Sequence, residues 1–269
     1  MGRMGRTLIR MADAWDVHVE FAWNRTPLTS DPLEQTLYGE VSTLVEAISQ
    51  REGGRGRVIW LSLSDDALLP VAAELAEVVD PDALVLHTSG SIEASSLRGE
   101  GIVAPTAGVH PLVAITDPET AAKRLSDAFW TVEGDPSAAD FAEAMLDDIG
   151  ADVAQLQAGS RSLYHAAAVL ASNLEVALFD AAVEVAQKSG LERGRAVDML
   201  LRLASSALDN IDGDLGADSL SGPVARGDDG TLERHRDALR GAGLSDILDI
   251  YDRLTRRASD LVDGEPDDD

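Results

Sequence analysis

Cysteine is absent from the 269 residues, which excludes disulfides, thiolate nucleophiles and cysteine-bound zinc. Basic residues are scarce. Lys and Arg total 22 against 48 Asp and Glu, a net charge of −26, so neither nucleic acid nor an anionic membrane surface is expected as a partner. Lysine is limited to Lys123 and Lys188, while arginine and alanine are common; the pattern suits a GC-rich genome or adaptation to high salt. Metal motifs are missing too. The five histidines (His18, His87, His110, His165, His235) form no HExxH or close pair, and no register of the Asp-rich stretch 212–231 meets the EF-hand ligand spacing. There is no G-x-S-x-G elbow, which disfavours a serine hydrolase of that type. The start, MGRMGRTLIRM, lacks the apolar core and cleavage site of a secretory signal, so a cytoplasmic protein is expected. The end, DGEPDDD (263–269), reads as a disordered acidic tail.

What is present is a normal globular composition, 45% hydrophobic, at a length that suits two domains. In the first half strand and helix patterns alternate. Gly2-Arg3-Met4-Gly5 runs into the helical RTLIRMADA, followed by the alternating strand VHVEFAW (17–23), which ends in Asn24-Arg25-Thr26. In the dinucleotide fingerprint G-x-G-x-x-G, Gly2 and Gly5 take the second and third glycine positions. The first glycine and the first strand then fall upstream of residue 1, leaving a slot between that strand's neighbours in the sheet. A reading frame that begins earlier, with Met1 a misassigned initiator, is the corresponding expectation. The ribose-recognising position falls about 20 residues beyond the glycines, at Asn24, Arg25 and Thr26. No acid stands there, and Arg25 suits a 2′-phosphate, so NADP(H) is expected over NAD(H). The plain alternative is an arginine that tops a strand.

The alternation continues through a helix LEQTLYGEVSTLVEAIS and a strand RGRVIWLSLSDD ending at Ser64-Asp65. Next come a helix PVAAELAEVV and a strand ALVLHTSGS ending at His87-Thr88-Ser89-Gly90. Later strands fall in IVAPTAGVHPLVAIT, AFWTVEGD and ADVAQLQ, with the helix SAADFAEAMLDDIG before the last. Ligands of such sheets sit outside the strands' carboxyl ends, so Ser64, Ser89 and Gly90 are candidate cofactor contacts; they are equally ordinary loop residues. The expected fold is α/β: a Rossmann-like, mainly parallel sheet lacking its first strand (1–157), followed by an all-helical C-terminal domain (158–262).

Residues 159–186 read as one long helix whose apolar face is wide enough for a buried spine. Arg161, His165 and Ser172 share a stripe of it, with Asn173 on the adjoining face. Burying them requires hydrogen-bond partners or a cleft. Glu175, Asp180 and Glu184 argue against a membrane span. The width of the apolar face predicts a homodimer formed mainly through the helical domain.

Three segments carry a resemblance: Gly108-Val109-His110-Pro111-Leu112; Tyr164-His165-Ala166-Ala167 through Ser172-Asn173; and Leu220-Ser221-Gly222-Pro223-Val224-Ala225-Arg226-Gly227-Asp228 with Thr231 and His235. With them the chain resembles uncharacterised bacterial proteins that join a Rossmann-like NADP-binding domain to a helical domain of unknown function. These are similar in layout to pyrroline-5-carboxylate reductase and the 6-phosphogluconate dehydrogenase superfamily. The resemblance implies dinucleotide binding in the first domain and a cleft beside it. Hydroxyacid dehydrogenases of that superfamily use a Lys and an Asn on the helix corresponding to the spine; here Asn173 is present and the Lys is not. An NADP(H)-dependent oxidoreductase of a small, anionic substrate is therefore the expected function, and a non-catalytic NADP(H)-binding or dimerisation protein the alternative. His165 is the candidate acid/base, Asn173 with Ser172 would orient substrate, and Arg226 would clamp a carboxylate or phosphate. Asp228 would orient His165 or Arg226. Against these stand a hydrogen-bonded core histidine and a surface ion pair.

Overall fold

The computed structural model describes residues 3–12, 18–27, 36–50, 57–114, 124–125, 127–211 and 216–264. The chain forms two compact units, Met1–Ser172 and Asn173–Asp269. The first is built from helix α1 (Arg3–Ala12), strands β1 (Ala22–Asn24) and β2 (Thr36–Tyr38), α2 (Val41–Ser49), β3 (Val58–Leu61), α3 (Asp65–Leu75), β4 (Leu84–His87) and α4 (Ala94–Gly99). It continues through β5 (Thr106–Pro111), β6 (Phe129–Gly134), α5 (Pro136–Asp147), β7 (Asp152–Gln155) and α6 (Arg161–Leu170).

The strands form two sheets. One has five strands in the order β3-β4-β5-β6-β7, and the other is the pair β1-β2. Every pairing is parallel except β5 with β6, where Val109 faces Val132. Parallel strands carry helices on both faces and read as apolar runs; accordingly Val85, Leu86, Ala107, Val109, Trp130 and Val132 are all fully buried. One core layer gathers Leu86, Val109, Trp130 and Leu146 with Leu8 and Met11 of α1, while the other gathers Leu68, Val71, Leu75, Val85 and Leu97. The split falls where the expected slot lies. Among the described residues no strand pairs with the second edge of β1 or with the outer edge of β3. The glycine at the end of β6 has a steric reason: Gly134 sits at φ 143°, and a Cβ there would lie 2.3 Å from the Thr106 carbonyl oxygen.

The second unit contains α7 (Asn173–Lys188), α8 (Arg193–Leu208), a 3₁₀ turn (Ala217–Ser219), α9 (Asp229–Gly241) and α10 (Ser245–Asp263). Glu192 caps α8, accepting from the Gly194 and Arg195 N–H groups at 2.9 and 3.1 Å. Arg236 on α9 donates to Asp252 on α10 at 2.7 Å. No strand occurs in this unit among the described residues.

The structure departs from the sequence reading in four places. Of the strand expected over 17–23, the described residues show β1 at Ala22–Asn24, and among them it has a ladder on one edge only. The helix expected from residue 33 is preceded by β2, because Thr36-Leu37-Tyr38 is a three-residue strand ended by Gly39 at φ 136°; so short an alternation is invisible inside a helical window. The long spine is interrupted at 171–172, where Ser172 Oγ donates back to the Ala168 carbonyl at 2.6 Å. The spine is also largely uncovered rather than buried. Leu163 and Leu170 on α6, Leu174, Val176 and Leu178 on α7, and Met199, Leu201, Leu203 and Leu208 on α8 are all exposed. Periodicity reveals an apolar face but not what covers it. The first compact unit runs through Ser172, with α6 tied into it by Arg161.

Candidate functional site

A cavity of about 510 Å³ opens at the carboxyl ends of β1, β3, β4 and β5. Strand direction places these residues there: Asn24 and Arg25 follow from β1, Ser62 and Ser64 from β3, Thr88 from β4, and His110 and Pro111 from β5. Trp23, Leu63, Val71 and Val113 supply apolar wall and Met4 of α1 closes one side. No Asp or Glu lines the cavity among the described residues, in a chain that carries 48 of them; its ionisable lining is Arg25 and His110. Hydroxyls, an amide and a guanidinium over an apolar wall form a donor set suited to a ribose, a phosphate and an aromatic ring.

Of the cofactor contacts expected from sequence, Asn24, Arg25 and Ser64 line this cavity. Thr26 is exposed just beyond, its carbonyl accepting from Asn24 Nδ2 at 2.6 Å. Gly5 is buried in the first turns of α1, and Gly2 lies outside the described residues. Ser89 and Gly90 do not line the cavity; Thr88 does. Ser89 instead serves the turn into α4, its Oγ accepting from the Ser91 and Ile92 N–H groups at 3.2 and 3.0 Å.

Beneath the cavity lies a cluster that the sequence showed only in part. Arg161, the first residue of α6, is fully buried. Its Nε donates to the Ser89 carbonyl at 2.9 Å and one terminal nitrogen to the Gly108 carbonyl at 3.2 Å, with the Glu133 carboxylate 3.5 Å away. The Arg161 N–H donates to Glu93 at 2.8 Å, and Glu133 accepts from the Ala94 N–H at 2.7 Å. One side chain thus joins the ends of β4, β5 and β6 to α6. Burial holds the Glu133 carboxyl above its usual range, opposed by the Ala94 hydrogen bond and Arg161. A glutamate set in the apolar strand pattern AFWTVEGD is the signal that could have marked this pair.

Three imidazoles sit around the guanidinium. His87 is buried, its Nδ1 accepting from the Ser89 N–H at 3.2 Å. Burial first and Arg161 second lower it to about 3. His110 is lowered to about 4 by burial, then Arg161, then His165. Its Nδ1 lies 3.0 Å from the Tyr164 hydroxyl, and its ring meets His165 edge-on at 5.6 Å. His165, the expected acid/base, does not line the cavity. It packs on Gly90, where an added Cβ would lie 2.3 Å from its Nδ1 and 3.0 Å from His110 Nε2. His87 Nε2 and His165 Nδ1 are buried with no hydrogen-bond partner among the described residues. Tyr164, one position before His165, carries no role in the sequence reading; its hydroxyl becomes informative only once β5 brings His110 to it.

Asn173, Arg226 and Asp228 belong to the second unit. Asn173 opens α7, and Arg226 is exposed, followed by Gly227 at φ 62°. Asp228 caps α9, accepting from the Thr231 N–H at 3.0 Å and the Thr231 hydroxyl at 2.6 Å. His235 pairs with the Tyr251 hydroxyl at 2.8 Å.

Residues 128–258 match the family described as "Domain of unknown function (DUF2520)". No match is found among curated proteins. The structure is similar to that of a candidate NADP oxidoreductase from Bacteroides fragilis, at 20% identity over 96% of this chain and 95% of that one, with a TM-score of 0.72. It is similar to a Thermotoga maritima protein at 19% identity, over 97% and 96% of the two chains, with a TM-score of 0.68. Pyrroline carboxylate reductase from Plasmodium falciparum, solved with NADP bound, gives 9% identity over 97% and 95% of the two chains and a TM-score of 0.59. The fold is thus a Rossmann-like α/β unit followed by a helical one.

Proposed function

We propose that this protein is an NADP(H)-dependent oxidoreductase of a small, anionic substrate. The observation that carries the reading is the cavity at the strand carboxyl ends, free of acids among its described lining in a strongly acidic chain and holding Arg25 and Asn24 at the ribose position. An NAD site would place a carboxylate there for the ribose 2′-hydroxyl; an arginine instead accommodates a 2′-phosphate. Bound NADPH would supply a hydride to an electrophilic carbon. Asn24, Arg25, Ser64 and Thr88 would hold the nucleotide, with Gly5 letting α1 approach it closely. The fold shared with an NADP-bound reductase supports the same cofactor. The anionic character of the substrate rests on Arg226, an exposed cation in a loop that Asp228 closes by its cap on α9.

The exposed apolar side chains of α7 and α8 support a homodimer, in a cytoplasmic protein. Burying seven half-exposed Leu, Val and Met side chains is worth on the order of 10 kcal/mol, enough to hold a second copy. Residues 161–188 are also apolar and long enough to cross a membrane by length and composition. Arg161 is fixed inside the α/β unit, however, and Glu175, Asp180 and Glu184 punctuate the rest, which favours a second copy as the occupant.

Titration with NADPH and NADH tests the cofactor assignment. NADPH is expected to bind at least tenfold more tightly, and Arg25→Ala to remove most of that difference while leaving NADH affinity unchanged. Equal affinity for the two nucleotides in the unaltered protein would sink it.

A further inference from the structure

Resting on the oxidoreductase reading, we propose that Met4 is a modification site: a hydroperoxide entering the cavity converts its thioether to the sulfoxide, and the oxidised side chain weakens nucleotide binding.

The chain has no cysteine, so its sulfur chemistry belongs to methionine alone. Of the five methionines, Met1 lies outside the described residues. Met11 and Met145 are core side chains, 5% and 7% exposed. Met199 is 48% exposed on α8 and does not line the cavity. Met4 combines two environments. It is half-buried in the first turn of α1 and packs against the core layer that holds Leu8, Leu86 and Trp130. It also lines the cavity with Arg25, Ser62 and Thr88, and about 510 Å³ admits a small hydroperoxide readily.

The reaction needs only that oxidant. A sulfur lone pair attacks one peroxide oxygen, the S–O bond forms as the O–O bond breaks, and the sulfur loses two electrons. The transferred oxygen gives its proton to the departing hydroxide or alkoxide, which leaves as water or an alcohol. The product replaces an apolar group with a polar, chiral one. Its oxygen accepts hydrogen bonds and carries partial negative charge, so burying it against Leu8 and Trp130 without a donor is costly. The side chain turns about three rotatable bonds, and the oxygen goes to the wet side. There it meets a lining free of acids among the described residues, where the nucleotide would bind. An acceptor set against a phosphate has no proton to share, and affinity falls. A bound nucleotide, in turn, shields the thioether from peroxide.

The test treats the full chain with hydrogen peroxide and follows each methionine by peptide mass spectrometry. Without nucleotide, Met4 and Met199 should oxidise at least about tenfold faster than Met11 and Met145, in line with their exposure. Saturating NADP⁺ should slow Met4 and leave Met199 unchanged. Oxidation should weaken NADPH binding about tenfold, the cost of one unpaired acceptor, and a dithiol with methionine sulfoxide reductases should restore it. Met4→Leu should show the same NADPH affinity before and after peroxide, and Met199→Leu should stay sensitive. Met4 reacting as slowly as Met11, no protection by bound NADP⁺, or unchanged affinity once Met4 is fully oxidised each overturns the proposal. Protection and repair are read on the unaltered chain, so they decide the matter even if Met4→Leu folds poorly. Failure of the untreated chain to bind NADP⁺ counts against the oxidoreductase reading, and the oxidation rates, read without nucleotide, still decide whether Met4 is the reactive site.

Discussion

Replacing Arg161 by Met removes the cation of the buried pair while keeping an unbranched side chain of similar reach. Three groups lose their partner together: the Ser89 and Gly108 carbonyls and the Glu133 carboxylate. Breaking a buried pair from one side costs about 3–5 kcal/mol, a large share of the roughly 5–15 kcal/mol that holds a domain folded. For a unit of this size, that corresponds to a fall in melting temperature of about 10 °C. The cost should be recoverable from the other side. Gln at position 133 can still accept from the Ala94 N–H, so Arg161→Met with Glu133→Gln should be more stable than the sum of the single effects by at least about 1 kcal/mol. The pH dependence has a defined sign. Burial already raises the Glu133 carboxyl, and loss of Arg161 raises it further above its unfolded value. The deficit of Arg161→Met relative to the unaltered protein should therefore shrink as pH falls through that raised value, where the folded state takes up the proton first. Calorimetry on the four proteins at neutral and mildly acid pH reads all of this. A single variant that melts within about 2 °C of the parent, or effects that simply add, would refute the account of Arg161 as the tie between strands and α6.

The neutral histidines make the whole protein acid-sensitive. His87 and His110 fall from 6.5 to about 3 and about 4 on folding, so their contribution is complete above the unfolded value and is lost as pH drops below it. At about pH 5 each costs roughly 2 kcal/mol, measurable by urea unfolding and reduced by half in His87→Asn. Gly90→Ala places a methyl 2.3 Å from His165 Nδ1 and should cost about 1–3 kcal/mol with shifts in both imidazole signals. Gly99→Ala, which meets nothing within 4 Å, should change stability by no more than about 1 kcal/mol, in the favourable direction; equal losses at the two sites would contradict the packing around Gly90. Light scattering should give a dimer, more complete at high salt because screening relieves the −26 charge, and a monomer for Val176→Asp combined with Leu203→Asp.

Sequence periodicity was most informative where tertiary context added little. The strands at 58–61, 84–87, 106–111 and 129–134 are apolar runs bounded by turn residues, and Arg25 could be placed by its distance from the glycines alone. β2 escaped notice because three residues of alternation carry no signal against a helical window. The Arg161–Glu133 pair and the His110–Tyr164 contact join residues 28 and 54 positions apart, and no local pattern encodes such pairings. The apolar face of α7 and α8 was legible as a face; its exposure was not, since composition records how much a helix must hide but not behind what. The split between β1 and β3 was anticipated from the position of Gly2 and Gly5 in the fingerprint, an argument of spacing rather than of propensity.

A crystal structure of the protein grown with NADP⁺ tests the central claim most directly. The account predicts the adenosine 2′-phosphate against Arg25 and Asn24, the diphosphate at the start of α1, and the nicotinamide at the His110 end of the cavity. A nucleotide bound elsewhere, or a cavity left empty at saturating NADP⁺, would contradict it.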